Sequence, residues 1–454
     1  MTKIYCARWV VPVTAEPIGD GAVAVEGARI AFVGARAEAA ERFPSADTEN
    51  LGEAAITPGL VNCHSHLELT AMRGFLEPEE GDFFAWLRKV TVSRGERMSA
   101  EDIYVSAAWG AVEAARAGVT SLGDASDAGA SVMRALGEVG LRGTVFSEAF
   151  GPDAGLAREQ FDKARAKIDS LRGGETSLVT LGLSPHSPYA VSPPLLEMLA
   201  RFASEERLPL MIHAAESESE QLLMLEGRGP FAEAYARRGF AFDSPGVSTV
   251  RHLDRTGVLD TRPLLAHCVR VDDADIKLLK ERGASVAHCP KSNAKLGHGR
   301  APLAAMLGAG VNVGLGSDSV ASNNTCDMLE ESRFALLGSR AAGEVLGGGR
   351  MVEARDALRS ITLGGARALK LDAAAGALAE GFEADLTAVW LDAPHQTPAY
   401  DPEAALVFSS SGRDVLLTVV GGREVFRGGR VTTVDEGELR ARVLDVARRL
   451  AGAP

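Results

Sequence analysis

Residues 55–68 read AITPGLVNCHSHLE, and this segment gives the first indication of the architecture. The largely apolar run 55–62 has the composition of a strand that is buried on both faces. It leads into His64 and His66, and side chains two residues apart on a strand point to the same side. The segment therefore predicts a buried strand whose carboxyl end presents two imidazoles to one metal ion.

Seven further runs of this kind follow, and they alternate with alanine-rich stretches of helical character. Eight buried parallel strands with helices between them predict an α/β fold, a (β/α)8 barrel of the TIM type. A doubly wound open sheet is the alternative, and the lack of a GxGxxG dinucleotide motif in the sequence favours the barrel. The seven runs are 118–124, 142–150, 178–184, 208–214, 262–268, 283–289 and 311–317.

The expected helices carry start and stop signals in the sequence. Ser99 and Asp102 predict a capping box, and Ser192 stands before a proline at a second helix start. A third helix is predicted to end at Gly283, since glycine favours the left-handed conformation that closes a helix.

Both ends of the chain are rich in short β-type runs separated by glycine turns. The segments are GAVAVEGARIAFVG (21–34), ADLTAVWL (384–391) and DVLLTVVGGREVFRGGRVTTVD (414–435). Because the two ends of a barrel lie close together, we expect these segments to form one small β-sandwich domain. The predicted domains are residues 1–54 for the first part of the sandwich, 55–375 for the barrel, and 376–454 for the second part with a C-terminal helix.

The composition restricts the class of partner. The chain has 454 residues, of which 46% are hydrophobic and 24% charged, and its net charge is −13. This acidity argues against nucleic acid or an anionic membrane as partner and leaves a small-molecule substrate. Five cysteines without a CxxC pair, and a first segment without a signal-peptide pattern, predict reduced thiols in a cytoplasmic protein. The oligomeric state stays open, with a homodimer among the options.

Three further polar groups follow predicted barrel strands. His213 comes after LPLMI, His267 after RPLLA, and Asp318 after VNVGLGS. Each of these groups, taken alone, is compatible with a core residue whose hydrogen bonds are made by its neighbours. However, the catalytic groups of barrels collect at the carboxyl ends of the strands, where all three are expected. Imidazoles and a carboxylate suit zinc or iron(II) with a position open for water, whose pKa then falls near 7. Glu216 lies three residues after His213, close enough to move protons, and its carboxylate also suits the N-terminus of the helix that follows; the two roles are compatible.

The segments TPGLVNCHSH, PLMIHAAE, LLAHC, AHCPKSN and GLGSDS resemble, in this order, the signature segments of the amidohydrolase superfamily. The branch they resemble is the cytosine-deaminase-like, aminohydrolase branch, and the resemblance spans nearly the whole chain. It implies one divalent metal ion, zinc or iron(II), because the fourth strand lacks the bridging lysine of two-metal members. The implied metal ligands are His64, His66, His213 and Asp318, and the implied catalytic residues are Glu216, His267 and Asp318.

Two segments that are expected to line the substrate pocket also resemble segments of known deaminases. In deaminases of this branch a PHxPY segment helps to hold the substrate, and here SPHSPY contains His186. The loop after the first strand resembles aminofutalosine deaminases of menaquinone biosynthesis, with Glu68 after HSHL, Trp86 in GDFFAWL, and Arg94 as a cation for a carboxylate tail. The implied substrate-binding residues are Glu68, Trp86, Arg94 and His186, and the alternative for the aromatic segment is a helix that packs as a lid.

Three functions are compatible with these observations. The first is hydrolytic deamination of a 6-aminopurine nucleoside-like compound, with 6-amino-6-deoxyfutalosine as the specific candidate. The second is another reaction at the same site: deamination of guanine, adenosine or S-adenosylhomocysteine, imidazolone ring opening, or triazine dechlorination. The third is a non-catalytic binding protein, which is disfavoured because every expected metal ligand is present.

Overall fold

A computed structural model describes residues 2–239 and 242–452. Its strands are β1 (Thr2–Val10), β2 (Ile18–Glu26), β3 (Arg29–Ala35), β4 (Asp47–Asn50), β5 (Ala54–Pro58), β6 (Leu60–Ser65), β7 (Val119–Ser126), β8 (Arg142–Ala149), β9 (Val179–Pro185), β10 (Met211–Ala214), β11 (Leu264–His267), β12 (Ser285–His288), β13 (Asn312–Leu315), β14 (Leu386–Trp390), β15 (Val415–Val420), β16 (Arg423–Arg427) and β17 (Arg430–Val431).

The α-helices of the same residues are α1 (Arg36–Arg42), α2 (Phe83–Arg97), α3 (Ala100–Arg116), α4 (Gly129–Val139), α5 (Ala157–Leu171), α6 (Pro193–Glu206), α7 (Glu218–Glu226), α8 (Pro230–Arg237), α9 (Thr249–Arg255), α10 (Asp273–Arg282), α11 (Pro290–Lys295), α12 (Leu303–Gly308), α13 (Val320–Asn323), α14 (Met328–Ala341), α15 (Ala354–Arg359), α16 (Gly365–Ala368), α17 (Pro402–Ala404) and α18 (Glu436–Leu450).

Eight parallel strands close into a barrel. Strands β6 to β9 form one four-stranded sheet and β10 to β13 form another. Backbone bridges join the two sheets at both seams, one between Leu183 and Leu210 and the other between Ser65 and Asp318. The predicted (β/α)8 barrel is thus confirmed, and the carboxyl ends of all eight strands meet at one end.

The two ends of the chain share a second sheet of nine strands. Its order is β17-β16-β15-β14-β5-β1-β2-β3, with β4 paired to β1. Apolar side chains pack on both of its faces, in one cluster with Tyr5, Ile56 and Leu386 and in another with Ile4 and Phe32. The predicted small β domain built from both ends is therefore confirmed.

The predicted first barrel strand, 55–62, is wrong in its first half. Residues Ala54–Pro58 form β5, which pairs with β1 and β14 of the large sheet, and the barrel strand β6 starts at Leu60. The chain passes between the two sheets at Gly59, where a Cβ atom would lie 2.1 Å from the Thr120 hydroxyl oxygen. Both halves are buried and apolar, so composition does not distinguish them. The domain boundaries at 54 and 375 stay predictions.

The predicted helix ends are confirmed. Ser99 and Asp102 make the capping box of α3, and Ser192 is the residue before α6. Helix α10 ends at Gly283, whose φ of 66° lies in the left-handed region.

Within residues 2–239 and 242–452, no helix combines the length and the apolar character that crossing a bilayer requires.

Gly59→Ala is expected to lower the free energy of unfolding by about 1–3 kcal/mol, because the added methyl group overpacks the buried Thr120 side chain. Urea unfolding measures this change. Gly173→Ala is the matched control, since a Cβ there meets no atom within 4 Å. Equal stability of the two variants would contradict the expected crowding at Gly59.

Candidate metal centre and pocket

The ends of three strands position the four predicted metal ligands. His64 lies on β6 and His66 directly follows it, His213 lies on β10, and Asp318 follows β13. The Asp318 backbone N–H donates to the His64 carbonyl oxygen at 2.9 Å, which ties two of these side chains together. At Asp318 and at His267 the backbone has φ values of 56° and 74°, which residues other than glycine rarely adopt.

The donor atoms of the four side chains converge. His66 Nε2 lies 3.2 Å from His213 Nε2, and Asp318 Oδ1 lies 3.5 Å from the Nε2 atoms of both His64 and His66. The His64 Nε2 atom is buried and has no hydrogen-bond partner among the described residues. A buried nitrogen without a partner is costly, whereas a metal ion uses its lone pair. Three imidazoles and one carboxylate therefore fit a divalent ion such as zinc or iron(II).

The outer atoms of the ligands are held by hydrogen bonds. His213 Nδ1 lies 2.8 Å from the His186 carbonyl oxygen, to which it donates, so the Nε2 lone pair faces the other donors. Asp318 Oδ2 accepts hydrogen bonds from the hydroxyls of Ser292, at 2.5 Å, and Ser322, at 3.0 Å. These bonds leave Asp318 Oδ1 directed at the histidines.

Burial keeps the ligands in the protonation states that bind metal. It lowers the pKa of His64 to about 4 and that of His213 well below its usual value. Burial opposes ionisation of Asp318, but the imidazoles of His64 and His267 hold its pKa well below the usual range. At neutral pH His64 and His213 are thus neutral and Asp318 is ionised, which are the forms that bind a metal ion.

Glu216 lies between two histidines beside the ligands. Its Oε1 atom is 3.7 Å from His267 Nε2 and 3.4 Å from His298 Nε2. Burial would raise the pKa of Glu216, but His267 and His298 together lower it. The His267 Nδ1 atom donates to Asn293 Oδ1 at 2.9 Å, which fixes the ring and turns its Nε2 toward Glu216.

The predicted site residues meet in one cavity of about 290 Å³ at this end of the barrel. All of them line it except His64, which lies beneath its surface and is fully buried. Helix α2 provides an apolar wall, to which Phe83, Trp86 and Leu87 contribute. The sequence left two options for this segment, a helix that packs as a lid and a substrate contact at Trp86. The position of α2 in the cavity wall is compatible with both.

The side chains of Glu68 and Arg94, which the sequence predicts to bind substrate, form hydrogen bonds and ion pairs with other groups of the protein. The Glu68 carboxylate accepts hydrogen bonds from the Ser126 hydroxyl at 2.6 Å and from the Ala128 N–H at 3.0 Å. Arg94 Nε lies 3.0 Å from Glu68 Oε1, and Arg94 Nη1 donates to Asp127 at 3.1 Å. Arg94 is therefore not the free cation that the sequence led us to expect, and its role toward substrate stays a prediction.

His186 faces the cavity between two other rings. Its ring centroid lies 4.9 Å from that of Phe150 and 4.7 Å from that of His213. Burial lowers its pKa to about 3, so the ring is neutral at neutral pH. The position fits the predicted substrate contact, which no further observation tests.

Sequence reasoning missed two groups of the site: Glu148, which lines the cavity, and His298, which contacts Glu216. Glu148 lies near the carboxyl end of β8, so the rule that found His213 and Asp318 applies to it as well. His298 belongs to no motif and follows α11 between two glycines, so only the folded chain reveals its approach to Glu216.

Comparisons with known proteins identify the family of this chain. A model of the amidohydrolase family matches residues 55–425. The 5-methylthioadenosine/S-adenosylhomocysteine deaminase of Pelotomaculum thermopropionicum is 34% identical over 435 residues, which cover 95% of this chain and 94% of the relative. An adenosine deaminase of Xanthomonas campestris, solved with bound zinc, superposes with a TM-score of 0.87 at 28% identity over 99% of both chains.

A more distant structure shares the fold alone. The aminofutalosine deaminase of Helicobacter pylori, solved with methylthio-coformycin, gives a TM-score of 0.77 at 22% identity over 93% of this chain and 100% of that one. The predicted superfamily is confirmed by the family match.

The purified protein is expected to contain about one equivalent of zinc or iron(II) per chain, because one set of converging donors is formed by His64, His66, His213 and Asp318. His64→Ala is expected to remove the metal, and elemental analysis by mass spectrometry measures it. His395→Ala is the control, since His395 is exposed and pairs with Asp414 away from the cavity. Two equivalents per wild-type chain would contradict a mononuclear site.

Proposed function

The chain belongs to the amidohydrolase family and is a hydrolase acting on carbon–nitrogen bonds, and on that premise we propose that it removes the 6-amino group of an adenosine-like nucleoside. The observation that carries this proposal is the placement of Glu216 in the cavity beside four convergent metal donors, of which His66, His213 and Asp318 line the cavity and His64 lies beneath it. The deaminases among the relatives and solved structures support the same reaction class.

Deamination at C6 of a purine delivers hydroxide to a ring carbon while the adjacent ring nitrogen takes a proton. His64, His66, His213 and Asp318 would hold a divalent ion, which would lower the pKa of a coordinated water toward neutrality. Glu216 carries protons between that water, the ring nitrogen and the leaving amine, and its lowered pKa keeps it ionised and ready to accept them.

His267 and Asp318 orient the attacking water. His267 is fixed by its hydrogen bond to Asn293, so its Nε2 atom keeps one direction. The second oxygen of Asp318 is held by two serine hydroxyls, which leaves Oδ1 for the water and the metal. Burial of the whole group excludes bulk water from these contacts.

Within this class, 5′-methylthioadenosine and S-adenosylhomocysteine are the first candidates. Two observations support them: the names of the relatives at 33–35% identity, and the apolar α2 wall beside the polar end of the cavity. The second candidate is 6-amino-6-deoxyfutalosine, which the HSHLE segment and the aromatic segment with Trp86 favour. The pairing of Arg94 with two carboxylates weakens the case for a carboxylate receptor at that residue.

Glu216→Gln is expected to keep the metal content of the wild type and to lose at least about 100-fold in kcat, because the amide cannot carry the proton. Elemental analysis and ammonia release measure the two quantities. Glu218→Gln, an exposed neighbour at the start of α7, is the control with unchanged kcat. Loss of metal in Glu216→Gln would mean that Glu216 is a ligand.

A panel of substrates tests the reaction class and the preference for the group attached to the sugar of the nucleoside. We expect ammonia release from adenosine-like nucleosides, with kcat/KM for 5′-methylthioadenosine at least about tenfold above that for guanine, because the cavity lies beside an apolar wall. The panel also contains S-adenosylhomocysteine, 6-amino-6-deoxyfutalosine, an imidazolone and a chlorotriazine. A preference for guanine, the imidazolone or the triazine would contradict the proposed class, and a preference for 6-amino-6-deoxyfutalosine would select the second candidate.

A further inference from the structure

Glu148 is a buried carboxyl group in the cavity wall that no step above uses. Its side chain is 6% exposed and it lines the cavity. Its Oε1 atom has no hydrogen-bond partner among the described residues. A buried polar atom without a partner is rare in a native protein because it loses the hydrogen bonds that water would provide. Because Glu148 lines the cavity, this partner comes from the cavity itself, either as water or as a bound ligand that displaces it.

The neighbouring acidic groups do not share this property. The Glu68 carboxylate is bound by Ser126 and Ala128, and Asp127 is bound by Arg94 and Lys167. Lys167 also donates to the backbone carbonyl of Glu148, at 3.2 Å, and not to its carboxyl group. In this wall, as far as the described residues go, Glu148 is thus the acidic side chain with an unused buried oxygen.

A second metal ion is a poor explanation for this oxygen. Glu148, His186 and His213 bring donor atoms within 4.8 Å of one another. However, His213 Nε2 faces the first site, 3.2 Å from His66, and its Nδ1 donates to the His186 carbonyl. A second ion would therefore keep only two side chains of its own, fewer than protein metal sites use.

The spacing between Glu148 and His186 points to a different ligand. Glu148 Oε1 lies 4.0 Å from His186 Nε2, too far for a hydrogen bond between them. The Ser187 hydroxyl lies 3.0 Å from His186 Nδ1 and can donate to it, which leaves a proton on Nε2. One donor and one carboxyl oxygen at this spacing match two neighbouring groups of a purine nucleoside, the ring nitrogen N3 and the sugar 2′-hydroxyl.

We propose that Glu148, beside the predicted substrate contact His186, binds the 2′-hydroxyl of the substrate's ribose, so that Glu148 selects ribonucleosides over 2′-deoxyribonucleosides. This inference rests on the proposed nucleoside deaminase activity. A hydroxyl both donates and accepts, so it pairs with the carboxyl group in either protonation state.

The experiment measures kcat/KM for adenosine, 2′-deoxyadenosine and 3′-deoxyadenosine. For the wild type we expect at least a tenfold preference for adenosine over 2′-deoxyadenosine, because the deoxy compound leaves Glu148 unpaired. Glu148→Asp withdraws the carboxyl group by one methylene and is expected to reduce this preference below threefold. Glu148→Gln keeps both the length and the hydrogen-bonding capacity, and we expect it to retain a preference of at least fivefold.

Two controls isolate the 2′-hydroxyl. The ratio between adenosine and 3′-deoxyadenosine is expected to change less than twofold in all variants. Glu138→Asp removes a methylene from a glutamate on α4 that does not line the cavity, and it is expected to behave as the wild type. Metal content, measured on every sample, is expected to be constant.

Three results would overturn the proposal: a wild-type preference below threefold, a Glu148→Asp variant with the wild-type ratio, or loss of metal in either Glu148 variant. In these cases an active wild type leaves the deaminase function intact. A wild type that deaminates no nucleoside of the panel overturns the proposed function and this inference together.

Discussion

The hydrogen bond from the Asp318 N–H to the His64 carbonyl closes the barrel, and the metal centre depends on that closure. The bond joins the last barrel strand to the first, residues that lie far apart in the sequence. Gly316 makes the approach possible, because a Cβ atom there would lie 2.7 Å from the Cβ of His64. The two strands thus bring a histidine and a carboxylate to one point, and the parallel arrangement adds His213 from the opposite sheet.

Burial gives these groups their chemistry. Removing imidazoles from water lowers their pKa, so His64 and His213 stay neutral and offer lone pairs. The same burial would protonate the carboxyl groups, but nearby histidines keep Asp318 and Glu216 ionised. One low-dielectric environment therefore holds neutral imidazoles beside ionised carboxylates, because the histidines and carboxylates lie within a few ångströms of one another.

The cavity wall shows how tertiary contacts divide similar side chains into different roles. Arg94 lies between Glu68 and Asp127, and Lys167 pairs with Asp127 on the other side. In these contacts two cations, Arg94 and Lys167, pair with two carboxylates, Glu68 and Asp127, so that the charges in this part of the wall compensate one another. Glu148 lies beside the same network with one oxygen unused. Burial and the negative charges of Glu68 and Asp127 raise its pKa well above the usual value, which suits a group that meets a neutral hydroxyl.

The sequence alone determined the barrel, the second sheet and the set of groups at the strand ends, because the patterns that encode them are local. Buried strands have a characteristic composition, and the histidine pair His64 and His66 and Asp318 follow such strands directly. Only the tertiary structure showed that the chain passes from one sheet to the other at Gly59. Only the tertiary structure showed that Arg94 forms ion pairs with protein carboxylates and that His298 approaches Glu216. These outcomes depend on distances between residues far apart in the chain, and a one-dimensional pattern carries no information about which buried charge finds a partner.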